Sequence, residues 1–358
     1  MSAISDSYTI TFPERLAIDP TGDQFRVHVL PVFQKLLNEA GFSLSFIRCD
    51  SESFLMQMRD SASRLRIRFD MSQTIYIGLP EVLKICVMGT ICKDLTGEPV
   101  EFIPPRNIRV MDFLAQVGFY RDLFRWGTLP KGPLSAVQNL LATGYDEPSE
   151  FLLPVTKIKR EGDVRDATSY LNTRNNIEKL LRHAWAAKRH EDELEYAVSE
   201  MAGTLVGEIG ENICLHSMST GYIAVQSQRS DCSSINSGNP NPNVVVAISD
   251  GGIGIVRSLR QKDPKKYGPK GATQIIEMVI NGDVPKKTGE DRGGIKRAHD
   301  LVRDLFHGEL HINTSFTEYS KWYNRASSME FKTDRDESFF VGTHVLMKLP
   351  RFGGTATQ

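Results

Sequence analysis

Val244-Val-Val-Ala-Ile-Ser-Asp-Gly-Gly-Ile-Gly254 is the stretch whose reading decides the fold. Five residues rich in β-branched side chains, bounded by turn signals, predict a buried strand. At its end the strand delivers one carboxylate, Asp250, and then Gly251, Gly252 and Gly254. A fixed acid followed by glycines suits close approach of a small molecule to backbone. The acid can accept a hydrogen bond from a donor such as an exocyclic amine, and the glycines leave no side chain in the way. Asp-Gly-Gly is also an ordinary turn, so the flanking stretches carry the decision.

Upstream, Glu208, Asn212 and His216 recur every four residues in Leu205-Val-Gly-Glu-Ile-Gly-Glu-Asn-Ile-Cys-Leu-His-Ser217, which puts them along one face of a predicted helix over 194–217. Ala197, Met201, Leu205, Ile209 and Ile213 repeat at fours on the adjoining face, the one expected against a sheet. Segments 221–226 and 244–248 are expected to pair as a hairpin. The loop between them is rich in Ser, Asn, Gly and Pro. Downstream, Arg292-Gly-Gly-Ile-Lys-Arg-Ala-His-Asp-Leu-Val302 reads as a glycine pair opening a helix, and Phe340-Val-Gly-Thr-His-Val-Leu-Met-Lys-Leu-Pro350 as a last strand.

In that order the four elements resemble the Bergerat-fold (GHKL, histidine kinase-like) ATP-binding domain. The family includes histidine kinases, DNA gyrase, MutL-type repair proteins and anti-sigma-factor kinases. The resemblance spans residues 193–350 and implies an α/β (α+β) sandwich with one mixed sheet covered by helices. It also implies ATP and Mg²⁺ as ligands. By resemblance, Asp250 takes the adenine amino group, while Gly252 and Gly254 let base and ribose lie on backbone. Asn212 coordinates Mg²⁺, an oxygen donor suiting a hard cation, and Glu208 is the general base. Glu211 points about 100° around the helix. His216 contacts phosphate or the lid, or caps the helix end. Gly293 and Gly294, opening a helix, hold phosphate, and Thr343 contacts phosphate or holds a water at Asp250. Residues 255–293 occupy the place of the family's mobile lid, with Lys262, Lys265, Lys266, Lys270, Lys286 and Lys287 and a helix expected over 272–280. The glycine pair departs from the longer Gly-x-Gly-x-Gly of many members, whose first glycine is here Gly289 or absent.

The 358 residues allow two domains. A net charge of −1 supplies no overall basic field to recruit nucleic acid. Cys49, Cys86, Cys92, Cys214 and Cys232 are dispersed and odd in number, which argues for reduced thiols. No signal peptide or apolar span is evident, so a cytoplasmic protein without membrane association is the expectation.

The first third alternates strands (8–12, 42–47, 65–69, 100–103) with helices (24–39, 79–95, and one capped by Asn107), which predicts a small α/β domain with a partly parallel sheet. Residues 65–124 resemble a STAS domain, the fold of anti-sigma-factor antagonists. Those antagonists carry a phosphorylated serine in a turn that here reads Gly78-Leu79-Pro80, without a hydroxyl. Ser72 and Thr74 lie nearby, but a docking or scaffold role without chemistry is the favoured reading. The expected organisation is a STAS-like domain over 1–125, linker and connecting helices over 126–190, and the ATPase domain over 191–352. His183 and His190 leave no room for a phosphoacceptor hairpin, which argues against a sensor histidine kinase.

These readings lead to a Mg-ATP-dependent switch with slow hydrolysis that regulates a protein partner. An anti-sigma-type serine/threonine kinase and a non-catalytic nucleotide-binding adaptor are the alternatives. Homo-oligomerisation is left open.

Overall fold

A computed structural model describes residues 7–16, 18–19, 22–23, 25, 28–39, 65–142, 151–158, 166–185, 191–210, 221–227, 244–284, 293–315, 317–323, 328–334 and 340–350. The protein is a mixed α/β chain that divides into two compact units. One comprises residues 1–147 with 336–340, the other 148–335 with 341–358.

The first unit is built on a parallel sheet ordered β1 (Ser7–Thr11), β5 (Arg66–Asp70), β7 (Val100–Ile103) and β8 (Gly127–Thr128). Two-residue ladders join β2 (Arg15–Leu16) to β6 (Tyr76–Ile77), and β3 (Ile18–Asp19) to β4 (Gly22–Asp23). Its helices are α1 (Leu30–Glu39), α2 (Leu79–Thr96), α3 (Ile108–Gln116), α4 (Phe119–Trp126) and α5 (Lys131–Leu141). Asn107 caps α3, its Oδ1 accepting from the Arg109 N–H at 3.0 Å, as its side chain allows. The core is aromatic: Phe12, Phe69, Phe102, Phe119 and Trp126 meet edge-on or tilted. Of the hydroxyls considered above, Thr74 is buried and donates to the Pro13 carbonyl. The strand expected over 42–47 lies outside the described residues.

The second unit is a seven-stranded sheet ordered β14 (Ser328–Asp334), β13 (Thr317–Tyr323), β12 (Glu309–Ser315), β15 (Phe340–Leu349), β11 (Val244–Asp250), β10 (Gly221–Ser227) and β9 (Leu152–Ile158). The expected hairpin is present: β10 and β11 pair antiparallel from Gly221↔Asp250 to Ser227↔Val244. All seven residues of β11 are buried. A strand shielded on both faces carries no polar alternation, which is why its sequence is a continuous apolar run. Val244, Val246 and Ile248 face a core shared with helices α6 (Asp166–Trp185), α7 (Glu191–Ala202), α8 (Ile255–Lys262), α10 (Ala272–Asn281) and α11 (Gly294–Leu301). The short α9 (Pro264–Tyr267) adds Tyr267 to it.

Three features depart from the sequence reading. The helix expected over 194–217 is α-helical only to Ala202 and continues through π-helical turns over Gly203–Ile209, a geometry frequent at functional sites. Its apolar face is as read, with Ala197, Met201, Leu205 and Ile209 buried. Most of the stretch expected as a lid is packed structure: α8, α9 and α10 bury Val256, Leu259, Tyr267, Ile275, Ile276 and Ile280. Residues 285–292 lie outside the described residues. Finally, the segment 126–190, set apart as linker and connecting helices, divides between the units: β8 and α5 go with the first, while β9 and α6 go with the second, where a strand over 152–158 at its entry and a helix over 168–188 are expected.

Candidate functional site

The alternation of β11 turns Asp250 to the side of Val246 and Ile248, toward the helices. The residue is 3 % exposed, and its Oδ1 accepts from the Gly252 N–H at 2.8 Å. The antiparallel register with β15 pairs Ser249 with His344, so the next step sets Thr343 beside Asp250, and the Thr343 N–H also serves the carboxylate. Burial pushes this carboxyl up from 3.8 to about 7, against those two N–H groups, which lower it. A carboxylate placed where its ionised form is disfavoured, with backbone donors as its named partners, has acceptor capacity left for a donor from a ligand.

Gly342 makes this arrangement possible. Its φ is +89°, and a Cβ there would stand 1.8 Å from the Asp250 carbonyl oxygen and 2.8 Å from Oδ1. Only a residue without a side chain lets β15 lie this close. Thr314, buried at the end of β12, fastens the glycine loop to the same point. Its hydroxyl accepts from the Ile255 N–H and donates to the Gly342 carbonyl, both at 3.1 Å. Gly252 is buried in that loop, and Gly254 has φ 75°.

A second cluster lies on the helices. Glu208 sits in the π-helical turns, its side chain 22 % exposed. A Cβ on Gly294 would stand 2.7 Å from the Glu208 Cβ, so the first residue of α11 is pressed onto the turn that carries the acid. Arg297, one turn along α11, donates from Nη1 to Glu208 Oε1 at 2.9 Å and from Nε to Glu200 Oε2 at 3.0 Å. The Glu200 hydrogen bond, with Glu208 behind it and burial opposing, raises the guanidinium above its ordinary value. Glu208 Oε2 is shielded from solvent and has no hydrogen-bond partner among the described residues. Gly293 caps α11, and a Cβ there would meet nothing within 4 Å among the described residues.

The sequence-predicted residues thus fall into two groups. Asp250, Gly252 and Thr343 converge on one point, with Gly254 closing the adjoining loop, and Glu208 meets Gly294 beside Gly293. Asn212 and His216 lie outside the described residues. Of the lid lysines, Lys262, Lys265 and Lys266 are exposed on or beside α8 and α9, while Lys286 and Lys287 are outside the described residues. Gly342, Thr314 and Arg297 were not singled out from sequence. Gly342 stood within the quoted Gly-Thr pair, but nothing local distinguishes Thr314 or Arg297 from neighbouring strand and helix residues.

A buried acceptor with backbone packed beside it without side chains fits the base end of a nucleotide, and a helix N-terminus fits its phosphates. For the metal, no group of three or more His, Cys, Asp or Glu side chains able to hold an ion occurs among the described residues. No described helix is long and apolar enough to cross a membrane. Neither the protein-family models nor the curated proteins contain a match to this chain.

Proposed function

We propose that the second unit is a Bergerat-type, histidine kinase-like ATP-binding domain, and that the protein is a Mg-ATP-dependent switch with slow hydrolysis that regulates a protein partner. The observation that carries the reading is Asp250: a carboxylate 3 % exposed at a strand end, held by backbone N–H groups and flanked by glycine backbone. Such a group is costly to the fold, and a purine amine donating to it offsets that cost. Adenine presents an amine where guanine presents a carbonyl, so an ionised Asp250 selects ATP over GTP.

In this reading Gly252 and Gly254 let the base and ribose lie on backbone, and Gly293 with the N-terminus of α11 receives phosphate. Bound Mg²⁺, held by Asn212, would neutralise phosphate charge. Glu208 accepts the proton of the attacking water. The first unit, STAS-like in this proposal, carries the nucleotide state to the partner.

A serine/threonine kinase of the anti-sigma type is the alternative, and it uses Glu208 in the same way on a partner's hydroxyl. Incubation with γ-labelled ATP and Mg²⁺, alone and with the native cell extract, separates the two. Phosphate release that disappears in Glu208→Ala is expected for the switch, and label on a second protein for the kinase. Binding without either outcome leaves an adaptor and refutes the catalytic reading.

A further inference from the structure

An acid on a helix has several rotamers, and a general base works only when one oxygen is held toward the reacting proton. Here two contacts restrict Glu208 and leave one oxygen over. Gly294 packs against its Cβ, Arg297 takes Oε1 at 2.9 Å, and Oε2 is left buried without a hydrogen-bond partner among the described residues. Leaving a buried carboxylate oxygen unserved is destabilising by about 1–3 kcal/mol, so its persistence calls for a purpose. Arg297 is itself anchored from two sides. Glu200 takes its Nε at 3.0 Å and also meets its Nη2, while its backbone N–H donates to the Gly293 carbonyl at 3.0 Å.

We infer that Arg297 is a positioning residue: clamped by Glu200, it pins Oε1 of Glu208 so that Oε2 alone is presented as the base, and it ties that geometry to the first turn of α11. The inference rests on the proposed nucleotide reading, in which the same turn receives phosphate through Gly293. One rigid helix start then registers the phosphate and the acid together. Arg297 touches neither substrate nor the reacting proton. Its loss frees Glu208 to rotate and leaves nucleotide affinity in place.

The test compares the full-length protein with Arg297→Gln, Arg297→Lys and Glu200→Gln, measuring ATP affinity by titration calorimetry and the single-turnover rate with Mg²⁺. A base held about 1 Å out of place loses about a hundredfold in rate. The expectation for Arg297→Gln is therefore a fall of about that size with Kd changed less than about threefold. Lysine should recover part of the rate, since it restores a cation but not the two-sided fork, and Glu200→Gln should lose about tenfold. A wild-type rate in Arg297→Gln, or a Kd that worsens in step with the rate, overturns the inference while ATP binding by the parent still supports the broader reading. A parent that binds no ATP overturns both. Should Arg297→Gln fail to fold, the lysine and Glu200 variants decide: unchanged rates in both overturn the inference.

Discussion

Asp250→Asn should make the protein more stable and blind to ATP. The carboxyl is held at about 7 against an ordinary 3.8. At about 1.4 kcal/mol per pH unit, the ionised group costs the ligand-free fold up to about 4 kcal/mol. The sign follows from proton binding. Between these two values the folded state holds a proton that the unfolded state has released, so stability declines as pH rises from about 4 to about 7 and is level above. An asparagine carries no charge to desolvate, and its Oδ1 can still accept from Gly252. Relative to the parent, Asp250→Asn should therefore gain up to about 4 kcal/mol at pH 8 and only about 2 kcal/mol at pH 5. For a unit of roughly 200 residues, the pH 8 figure corresponds to a rise in melting temperature of about ten degrees. Thermal melts of both proteins from pH 5 to pH 8, each with and without saturating ATP, read out every term. ATP should raise the parent's transition and leave that of Asp250→Asn unmoved. A gap between the two proteins that does not widen with pH refutes the buried-carboxylate argument, and an equal ATP-induced shift refutes base recognition at this residue.

Gly342→Ala places a Cβ 1.8 Å from the Asp250 carbonyl at φ +89°; a loss of about 3 kcal/mol or more in urea unfolding, with ATP binding abolished, is expected. Gly294→Ala drives a methyl to 2.7 Å from the Glu208 Cβ and should lower turnover more than it lowers stability, seen by comparing single-turnover rates with urea midpoints. In the first unit, Gly89→Ala would put a Cβ 2.2 Å from the Trp126 ring, costing about 2–3 kcal/mol and moving Trp126 fluorescence without touching ATP affinity. Glu309 is pushed up by burial, but His311 at 3.1 Å and Lys348 at 2.8 Å outweigh that and hold it down at about 2. Its stabilisation is present above the ordinary 4.5 and lost as pH falls through about 2, so Glu309→Gln should lose up to about 3 kcal/mol at pH 7 and nothing at pH 2.

The strands bearing the candidate site were legible because β11 is buried along its whole length and writes that burial as an unbroken apolar run. The same holds for the apolar fours of α7 and the glycine pair before α11. Helix α10 was legible, expected over 272–280 and found at Ala272–Asn281, but α8 and α9 before it were obscured by the charge around them. Lys262, Lys265, Lys266 and Lys270 dominate the local composition, and the apolar spacing of Val256, Leu259 and Tyr267 runs beneath them. Strands β13 and β14 intersperse Glu318, Lys321, Glu330 and Lys332 among Tyr319, Trp322, Tyr323 and Phe331 without a strict two-residue period in β13, and no strand is read there from sequence. Arg297 could not be found locally at all, since its partners lie 89 and 97 residues away.

Strand β9 and helix α6 precede the candidate nucleotide helix in sequence, yet they close the sheet: β9 pairs with β10, and Ile177, Leu180, Leu181 and Trp185 enter the shared core. A fragment cut to begin at residue 191 would strip β10 of its outer neighbour and lay open the apolar seat of α6. Unpaired strand edges of that kind recruit other chains, so such a fragment should aggregate, whereas one starting at residue 148 keeps β10 paired and the seat of α6 covered.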